Sequence, residues 1–223
     1  MNINLFFDLD GTLTDPKEGF TKSFIFALEQ MGMKPPADEE LLWCIGPPLH
    51  DSFLHFLGDK QKVNQAVLHY RERYNVIGMY ENQVYAGIRE MLSELVEGGC
   101  TLHLATSKLR PIAAKIMEHF ALHSFFKSIH GSELDGTRGD KGELIAFILE
   151  QERLTASDCV MIGDRKYDMI GAQKNQVRGI GVGWGYGSHA ELMEFGAQAV
   201  VSRPEELVSC LNMKLWKKLS LHV

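Results

Sequence analysis

The sequence predicts an α/β protein with a parallel sheet, helices on both of its faces, and a smaller helical domain inserted after the first strand. Short apolar segments alternate with longer segments of helical periodicity, which is typical of parallel strands joined by helices. The first apolar segment, Ile3–Leu9, leaves little room for a solvated face, as expected for a strand buried on both sides. Between about residues 16 and 83, by contrast, helical patterns occur without a convincing strand.

Five further strands are predicted after this helical block, and helices alternate with them. The pair Gly98-Gly99 ends the helix before the first of these strands. Pro111 falls in the first turn of the next helix, where its missing N–H costs no hydrogen bond. The predicted strands are Thr101–Ala105, Phe126–His130, Cys159–Ile162, Arg178–Val182 and Ala199–Val201. The helices predicted from apolar residues at helical spacing are Tyr85–Val96, Pro111–Phe120, Gly142–Gln151 and Ala190–Phe195.

The helical block is predicted to form a separate small domain, residues 15–82. Its predicted helices are Phe20–Met31, Glu39–Cys44, Pro48–Leu57 and Lys62–Met79. Residues 1–14 and 83–213 form the predicted α/β core domain. The remaining segment, residues 214–223, is mildly basic and amphipathic where it begins, which is typical of the end of a surface helix.

The composition is that of an ordinary globular protein with an acidic balance. The 223 residues include 23 Lys and Arg against 29 Asp and Glu, which gives a formal net charge of −6. This charge disfavours a nucleic acid polymer as a partner. No apolar run reaches the ~18 residues of a membrane span, and the N-terminus lacks the basic segment of a signal peptide. We therefore expect a cytoplasmic protein that does not bind a membrane.

Cysteine and histidine spacings do not indicate a zinc site. The four cysteines lie far apart and form no C-x-x-C pair, so a disulfide framework is not indicated either. His119 and His123 are four residues apart, as two zinc ligands on a helix would be. Because no third ligand accompanies them, a structural or surface role is the preferred interpretation.

Two acidic residues, Asp8 and Asp10, follow the first predicted strand. If the chain turns at Asp10, helped by Gly11, both carboxylates face one pocket at the carboxyl edge of the sheet, where α/β sheets bind ligands. Paired carboxylates at such a place hold a divalent cation, or act as a nucleophile and a general acid/base. The alternative is a turn that carries two solvated acids.

This segment, Asp8–Thr12, resembles the D-x-D-G-T motif of the haloacid dehalogenase-like superfamily of aspartate-nucleophile phosphotransferases. The resemblance extends over nearly the whole chain. Thr106 matches the hydroxyl residue of the second motif, Lys141 matches the lysine of the third, and Gly163–Asp168 matches the fourth motif, G-D-x-x-x-D. The resemblance implies a Rossmann-like parallel core, and it implies that the inserted helical domain is a cap.

The roles of the catalytic residues are likewise implied by the resemblance. Asp8 is expected to attack phosphorus, and Asp10 is expected to act first as general acid and then as general base. Thr106 and Lys141 would bind the transferring phosphoryl group. The family often has Lys-Pro at the third motif, whereas this chain has Lys141-Gly142, so Lys108 competes for the phosphate-binding role. The further expected phosphate contacts are Gly11 and Ser107.

The same resemblance implies Mg²⁺ as the cofactor. Asp8, Asp164 and the backbone carbonyl of Asp10 would hold the ion. Asp168 lies one helical turn after Asp164 on the same face, where it would orient Lys141 or a metal-bound water.

A narrower resemblance concerns the phosphoglycolate phosphatase-like branch, which includes bacterial phosphoglycolate phosphatases and 5′-nucleotidases. It depends on the segments Ile45–Leu49, Gly131–Arg138 and Gly181–Ser188. The first resembles a cap loop that reaches the substrate, which makes Pro48 and His50 candidate substrate contacts. The alternative for this loop is a helix-breaking turn, which Gly-Pro-Pro produces in any case. The glycines of the third segment match no dinucleotide-binding spacing and are interpreted as tight-turn geometry.

The predicted activity is hydrolysis of a small phosphorylated metabolite through an aspartyl-phosphate, with phosphoglycolate as the first choice of substrate. A 5′-nucleotidase and a β-phosphoglucomutase-like phosphomutase stay open as alternatives. A phospho-accepting receiver module is disfavoured, because it would need neither a helical cap nor an acid/base residue at Asp10. A monomer or a homodimer is expected.

Overall fold

A six-stranded parallel sheet forms the centre of the computed structural model, which describes residues 3–212. Its strands are Asn4–Phe7 (β1), Thr101–Leu109 (β4), Phe126–Ser132 (β5), Cys159–Gly163 (β6), Arg178–Val182 (β7) and Ala199–Val201 (β8). Across the sheet they follow the order β5-β4-β1-β6-β7-β8. All five neighbouring pairs are parallel, so the carboxyl ends of the six strands meet at one edge.

Helices cover both faces of the sheet, as predicted. Side chains alternate between the faces along a strand: Leu5 and Phe7 belong to one apolar cluster, and Phe6 belongs to another. The first cluster includes side chains of α4 (Ile88–Glu97), α5 (Arg110–His119) and α9 (Pro204–Asn212). The second includes side chains of α6 (Lys141–Glu152) and α7 (Lys166–Lys174). A short helix, α8 (His189–Glu194), lies near β7 and β8.

Between residues 16 and 82, the segment predicted to be a cap consists of helices joined by turns and loops, without a strand. It contains α1 (Lys17–Gln30), α2 (Leu49–Leu57) and α3 (Lys60–Arg73), with a 3₁₀ helix at Asp38–Cys44 and a π-helical turn at Tyr74–Gly78. The aromatic rings of Phe24 and Phe53 stack at its centre with centroids 4.0 Å apart. We call residues 15–82 the predicted cap, since the division into domains stays a prediction.

The two ends of the predicted cap lie side by side. Strands β2 (Thr14–Asp15) and β3 (Gln83–Val84) pair antiparallel, so the chain leaves and re-enters the core at one place. The sequence pattern did not indicate these strands, because two residues are too few to show a periodicity.

Several predicted boundaries differ from the structure. The first strand ends at Phe7 instead of Leu9, because Leu13 N and Thr14 N both donate to Leu9 O and turn the chain. The helix predicted from Tyr85 begins at Ile88, since Gly87 has a φ of +82° that ends the preceding turn. The strand predicted to end at Ala105 extends to Leu109. Helix α9 was not predicted, and the tail at residues 214–223 lies outside the described residues.

Within residues 3–212, every helix is too short or too polar to cross a membrane.

Candidate active site

The carboxyl ends of three adjacent strands bring the predicted motifs together. Asp8 follows β1, Thr106 lies near the end of β4, and Asp164 follows β6. Because β1 lies between β4 and β6, the three residues share the edge at which parallel sheets bind ligands. The backbone N–H of Asp8 donates to Ile162 O at 3.0 Å, which continues the β1–β6 pairing as far as the first motif.

The turn after β1 packs directly against Asp164. Gly11 has a φ of +79°, which favours glycine, and a Cβ built on it would lie 2.2 Å from Asp164 Oδ2. Glycine is therefore needed here for both its backbone angle and its size. The structure places Gly11 beside this carboxylate, and its expected contact with phosphate stays a prediction.

Lys141 joins two carboxylates beneath the site. It is the first residue of α6, and its Nζ lies 3.1 Å from Asp8 Oδ1 and 2.9 Å from Asp168 Oδ1. The same ammonium donates to Ala105 O at 2.9 Å. Burial by itself lowers the pKa of Lys141, but the charges of Asp168 and Asp8 more than offset it and raise the pKa. The side chain is thus a fixed cation that restrains Asp8.

Asp164 is fully buried and held by two donors. Its Oδ2 accepts from Tyr186 N at 2.8 Å, and its Oδ1 accepts from Thr12 Oγ1 at 3.4 Å. Burial, then the charges of Asp168 and Asp8, raise its pKa well above the ordinary range. Asp168 accepts from Arg165 N at 3.1 Å, so the start of α7 orients this carboxylate toward Lys141.

Three carboxylates converge in a way that fits a hard divalent cation. One oxygen from each of Asp8, Asp164 and Asp168 lies within 4.8 Å of the other two. Carboxylate and carbonyl oxygens are the ligands that Mg²⁺ prefers, and a cation would offset the repulsion among these buried charges. This group contains the carboxylates of Asp8, Asp164 and Asp168, and the expected contact between the backbone carbonyl of Asp10 and the ion stays a prediction.

Asp10 pairs instead with Lys108. Lys108 Nζ lies 2.8 Å from Asp10 Oδ2 and also donates to the hydroxyl of Tyr74, which belongs to the predicted cap. Burial raises the pKa of Asp10, and the charge of Lys108 opposes this shift. Asp10 Oδ1 is buried without a hydrogen-bond partner among residues 3–212. The competing lysines therefore take different places, with Lys141 on Asp8 and Lys108 on Asp10.

A cavity of about 480 Å³ lies between this edge of the sheet and the predicted cap. Its lining on the core side includes Asp8, Asp10, Thr106, Ser107 and Lys108. Its lining on the side of the predicted cap includes Phe20, Ile45, Pro47, Pro48, His50, Arg71 and Tyr74. The core side is polar and charged, whereas the opposite side is mainly aromatic and apolar. Pro48 and His50, which were expected to lie near the substrate, are both exposed at this cavity.

Arg165 connects the core to the predicted cap, which sequence reasoning missed. Its guanidinium donates to Ile45 O and, at 3.5 Å, to Trp43 O in the predicted cap. Its Nε donates to Glu191 Oε1 at 3.1 Å in the core. The sequence holds no signal for this link, because the acceptors in the predicted cap are backbone carbonyls, which every residue possesses.

The glycine-rich segment after β7 supports the first motif. Trp184 Nε1 donates to Thr12 O at 3.0 Å, and the hydroxyl of Tyr186 donates to Asp15 at the entry to the predicted cap. A Cβ on Gly185 would lie 2.3 Å from Asp164 Cβ, so glycine lets this segment approach the site closely. The interpretation as turn geometry overlooked the two aromatic residues, whose alternation with glycine was the available signal.

Comparison with known proteins agrees with this geometry. Residues 5–182 match the family model described as haloacid dehalogenase-like hydrolase. The chain belongs to this family. The family resemblance predicted from the sequence is thereby confirmed, and the protein is a haloacid dehalogenase-like hydrolase with the α/β fold of its relatives.

Three known proteins illustrate the range of similarity. A 5′-nucleotidase from Pseudomonas aeruginosa is 52% identical over 190 residues, which cover 85% of this chain and 86% of that protein. The tyrosine-protein kinase PtkA from Mycobacterium tuberculosis is 37% identical over 196 residues, which cover 88% of this chain and 67% of that protein. The crystal structure of a predicted phosphatase from Clostridium acetobutylicum superposes with a TM-score of 0.91 at 40% identity, covering 95% of this chain and 98% of that one.

Proposed function

We propose that the protein is a Mg²⁺-dependent phosphatase that works through a phosphoryl group on Asp8, and that its substrates are nucleoside 5′-monophosphates. The observation that carries the proposal is the pairing of two aspartates with two different lysines at one edge of the sheet. Each aspartate has its own environment, as a nucleophile and a separate acid/base require.

Asp8 is restrained for attack through one of its oxygens. Asp8 Oδ1 accepts from Leu9 N at 2.7 Å and lies 3.1 Å from Lys141 Nζ. Since these donors occupy Oδ1, the oxygen that would attack phosphorus is Oδ2. The attack forms an Oδ2–P bond and breaks the P–O bond of the ester, in line with each other.

Asp10 is placed to move the proton in both steps. Its Oδ1 is buried and unpartnered among the described residues, whereas its Oδ2 is held by Lys108. In the first step Asp10 would give its proton to the leaving oxygen of the ester. In the second step the resulting carboxylate would take a proton from water, which attacks phosphorus and releases phosphate from Asp8.

Phosphoryl oxygens would be bound from the core side of the cavity. Lys108 N donates to Thr106 Oγ1 at 3.2 Å, which leaves the hydroxyl proton of Thr106 available for a phosphoryl oxygen. Asp8, Asp164 and the carbonyl of Asp10 would hold Mg²⁺, which when bound supplies positive charge for the phosphoryl oxygens.

The volume and the lining of the cavity support a nucleoside as the leaving group. A volume of about 480 Å³ lies in the range of sites for drug-sized ligands and far exceeds the needs of glycolate. Phe20, Ile45 and Tyr74 offer an aromatic and apolar wall against which a base could stack. The name of the Pseudomonas relative agrees with this choice.

Phosphoglycolate, the first choice from the sequence, is kept as a second candidate because of one residue. Arg71 of α3 lines the same cavity from the predicted cap, and its guanidinium would pair with a small carboxylate. The two candidates therefore differ in whether Arg71 or the aromatic wall meets the leaving part.

A phosphate-release assay on nucleoside 5′-monophosphates, 2-phosphoglycolate and hexose phosphates tests the proposal. We expect kcat/KM to be highest for a nucleotide, by at least about tenfold, which corresponds to about 1.4 kcal/mol. Arg71→Met should leave that value nearly unchanged. A preference for phosphoglycolate that Arg71→Met abolishes would establish the second candidate instead. Transfer of the phosphoryl group to an added sugar phosphate, with no release of inorganic phosphate, would identify a phosphomutase and overturn the proposal.

A further inference from the structure

A second cluster of potential metal ligands lies away from the cavity, under the last turn of α6. One ligand atom from each of His103, His130 and Glu152 lies within 4.8 Å of the other two. Lys141 is the first residue of α6 and Glu152 is its last, so the cluster is about 16 Å from Lys141 along this helix. The cluster is therefore separate from the carboxylates at the candidate active site.

Sheet register brings the two histidines together. His103 on β4 is the register partner of Ser128 on β5, and His130 follows Ser128 by two residues on the same face. Both imidazoles are buried, with His103 fully enclosed and His130 8% exposed. Their positions are thus set by the sheet and do not depend on a flexible loop.

The hydroxyl of Ser128 lies within hydrogen-bond distance of the imidazole rings of both His103 and His130. Ser128 Oγ lies 2.7 Å from His103 Nδ1 and 2.8 Å from His130 Nε2. Asn4 Oδ1 lies 3.2 Å from His103 Nε2, so it accepts the proton of that nitrogen and leaves the lone pair of Nδ1 facing Ser128. A histidine that binds metal usually donates its other N–H to a carboxylate, a backbone carbonyl or water, and the Asn4 side chain offers an oxygen acceptor of the same kind.

The third ligand already lies at a suitable separation. His130 Nε2 and Glu152 Oε1 are 3.3 Å apart. Two ligand atoms that bind the same tetrahedral zinc ion at ~2.0–2.1 Å are separated by about this distance. Burial lowers the pKa of His103 to about 4 and also lowers the pKa of His130, and the neutral imidazole is the form that binds metal.

From this arrangement we infer that His103, His130 and Glu152 form a second metal site, selective for a borderline cation such as Zn²⁺. Two imidazoles and one carboxylate are a common zinc ligand set, with a fourth position for water or for the Ser128 hydroxyl. Binding requires the Ser128 hydroxyl to rotate and the His103 ring to approach the other two ligands. The site would fasten the end of α6 to β4 and β5, and it is proposed to stabilise the fold, not to take part in catalysis.

Lys127 sets the affinity of this site. Its Nζ lies 2.9 Å from Glu152 Oε2, on the outer side of the carboxylate, and its side chain is 55% exposed. The ammonium competes with a cation for the charge of Glu152. Removal of the Lys127 charge should therefore tighten metal binding. In a cluster that serves only as a hydrogen-bonded network, Lys127 would instead be needed to neutralise Glu152.

Calorimetric titration of chelator-treated full-length protein with Zn²⁺, in buffer saturated with Mg²⁺, tests the inference. Mg²⁺ occupies the hard oxygen ligands near Asp8, and we expect one Zn²⁺ per chain to bind in addition and to raise the melting temperature. A parallel titration with Co²⁺ should give the intense visible bands of four-coordinate cobalt. Asp164→Asn should keep this binding, since it alters only the other cluster.

Matched variants locate the ion. His130→Gln and Glu152→Gln should each weaken Zn²⁺ binding at least about tenfold, whereas His123→Gln, which alters an exposed histidine outside the cluster, should not. Lys127→Met keeps every ligand, changes an exposed side chain, and should bind several-fold more tightly. The inference is overturned if the wild-type protein binds no Zn²⁺ in the presence of Mg²⁺, or if His130→Gln and Glu152→Gln both bind it as tightly as wild type. Unchanged or weaker binding by Lys127→Met would also contradict it.

Discussion

The two sides of the central cavity are built from different interactions. On the core side, Asp8 and Asp10 are each held by a lysine at 3.1 Å and 2.8 Å, respectively. On the opposite side, the predicted cap presents a mainly aromatic and apolar surface, to which the exposed residues Pro48 and His50 also belong. Charges held in buried ion pairs have little freedom to move, whereas an apolar wall tolerates changes of shape. From this comparison we propose that the core carries out the chemistry and that the predicted cap selects the leaving group.

The largest expected effect is the loss of the nucleophile on the core side. Asp8→Asn should lower kcat at least about 10⁴-fold, because no other group can form the covalent intermediate. Steady-state rates measure the loss, and circular dichroism checks that the fold persists. Asp51→Asn, which alters an exposed aspartate on α2, is the matched control and should keep wild-type activity. Ordinary turnover by a folded Asp8→Asn protein would refute the covalent mechanism.

Asp10→Asn provides a direct view of the intermediate. The asparagine cannot take a proton from water, so a phosphoenzyme that forms should decay slowly. Mass spectrometry of the acid-quenched variant should then find the phosphoryl group on Asp8. A phosphoryl group on a serine, threonine or histidine would contradict the assignment of the nucleophile.

Removal of the metal is expected to have the next largest effect. Treatment with a chelator should lower activity by at least about 10²-fold, since a metal ion contributes several kcal/mol to charge stabilisation in the transition state. Mg²⁺ should restore activity, and Ca²⁺ should not, because calcium accepts longer bonds and more ligands and would engage both oxygens of Asp8. Full activity in chelator, or equal rates with Ca²⁺, would show that the convergent carboxylates serve another purpose.

Loss of the contact between Lys108 and Asp10 should lower kcat less than loss of either aspartate. Lys108→Met removes the ammonium 2.8 Å from Asp10 Oδ2 and should lower kcat about 10- to 100-fold, because the acid/base group loses its position. Tyr74→Phe keeps this ion pair and removes only the hydroxyl that accepts from Lys108, so its loss should be smaller. Wild-type turnover by Lys108→Met, or a larger loss in Tyr74→Phe, would contradict this ordering. Steady-state and stopped-flow assays measure kcat for Lys108→Met and Tyr74→Phe and so compare the two variants.

Much of the core could be predicted from the sequence for simple physical reasons. Strands buried on both faces appear as uninterrupted apolar runs, and the end of such a run places the next polar residue at the edge of the sheet. Asp8 and Asp164 could be assigned to one edge in this way. The two-residue strands β2 and β3 could not, because so short a segment shows no period.

The contacts that complete the site depend on tertiary packing. Lys108 meets Tyr74 only because the predicted cap lies over β4, and Arg165 meets backbone carbonyls, which carry no sequence signature. Phe53 is fully buried and stacks on Phe24 inside the predicted cap, a contact that also depends on how helices α1 and α2 pack together. The cluster of His103, His130 and Glu152 escaped notice because its members are far apart in sequence, and only the register of β4 and β5 brings them together.

The most direct test of the division between the two sides is a comparison of kcat/KM for two substrates in variants of the predicted cap. One substrate is a nucleoside 5′-monophosphate, and the other is a small activated phosphate such as acetyl phosphate, which offers almost nothing for the apolar wall to contact. In Phe20→Leu, Pro48→Ala and His50→Ala, we expect the largest change in the ratio of the two values for Phe20→Leu. In that variant, the ratio of the nucleotide value to the acetyl phosphate value should decrease about 2- to 12-fold, since aromatic contacts contribute about 0.5–1.5 kcal/mol beyond the area that they bury. Hydrolysis of acetyl phosphate should stay close to wild type in all three. Equal proportional losses for both substrates would show that the predicted cap serves only closure, and would contradict the assignment of leaving-group choice to this side of the cavity.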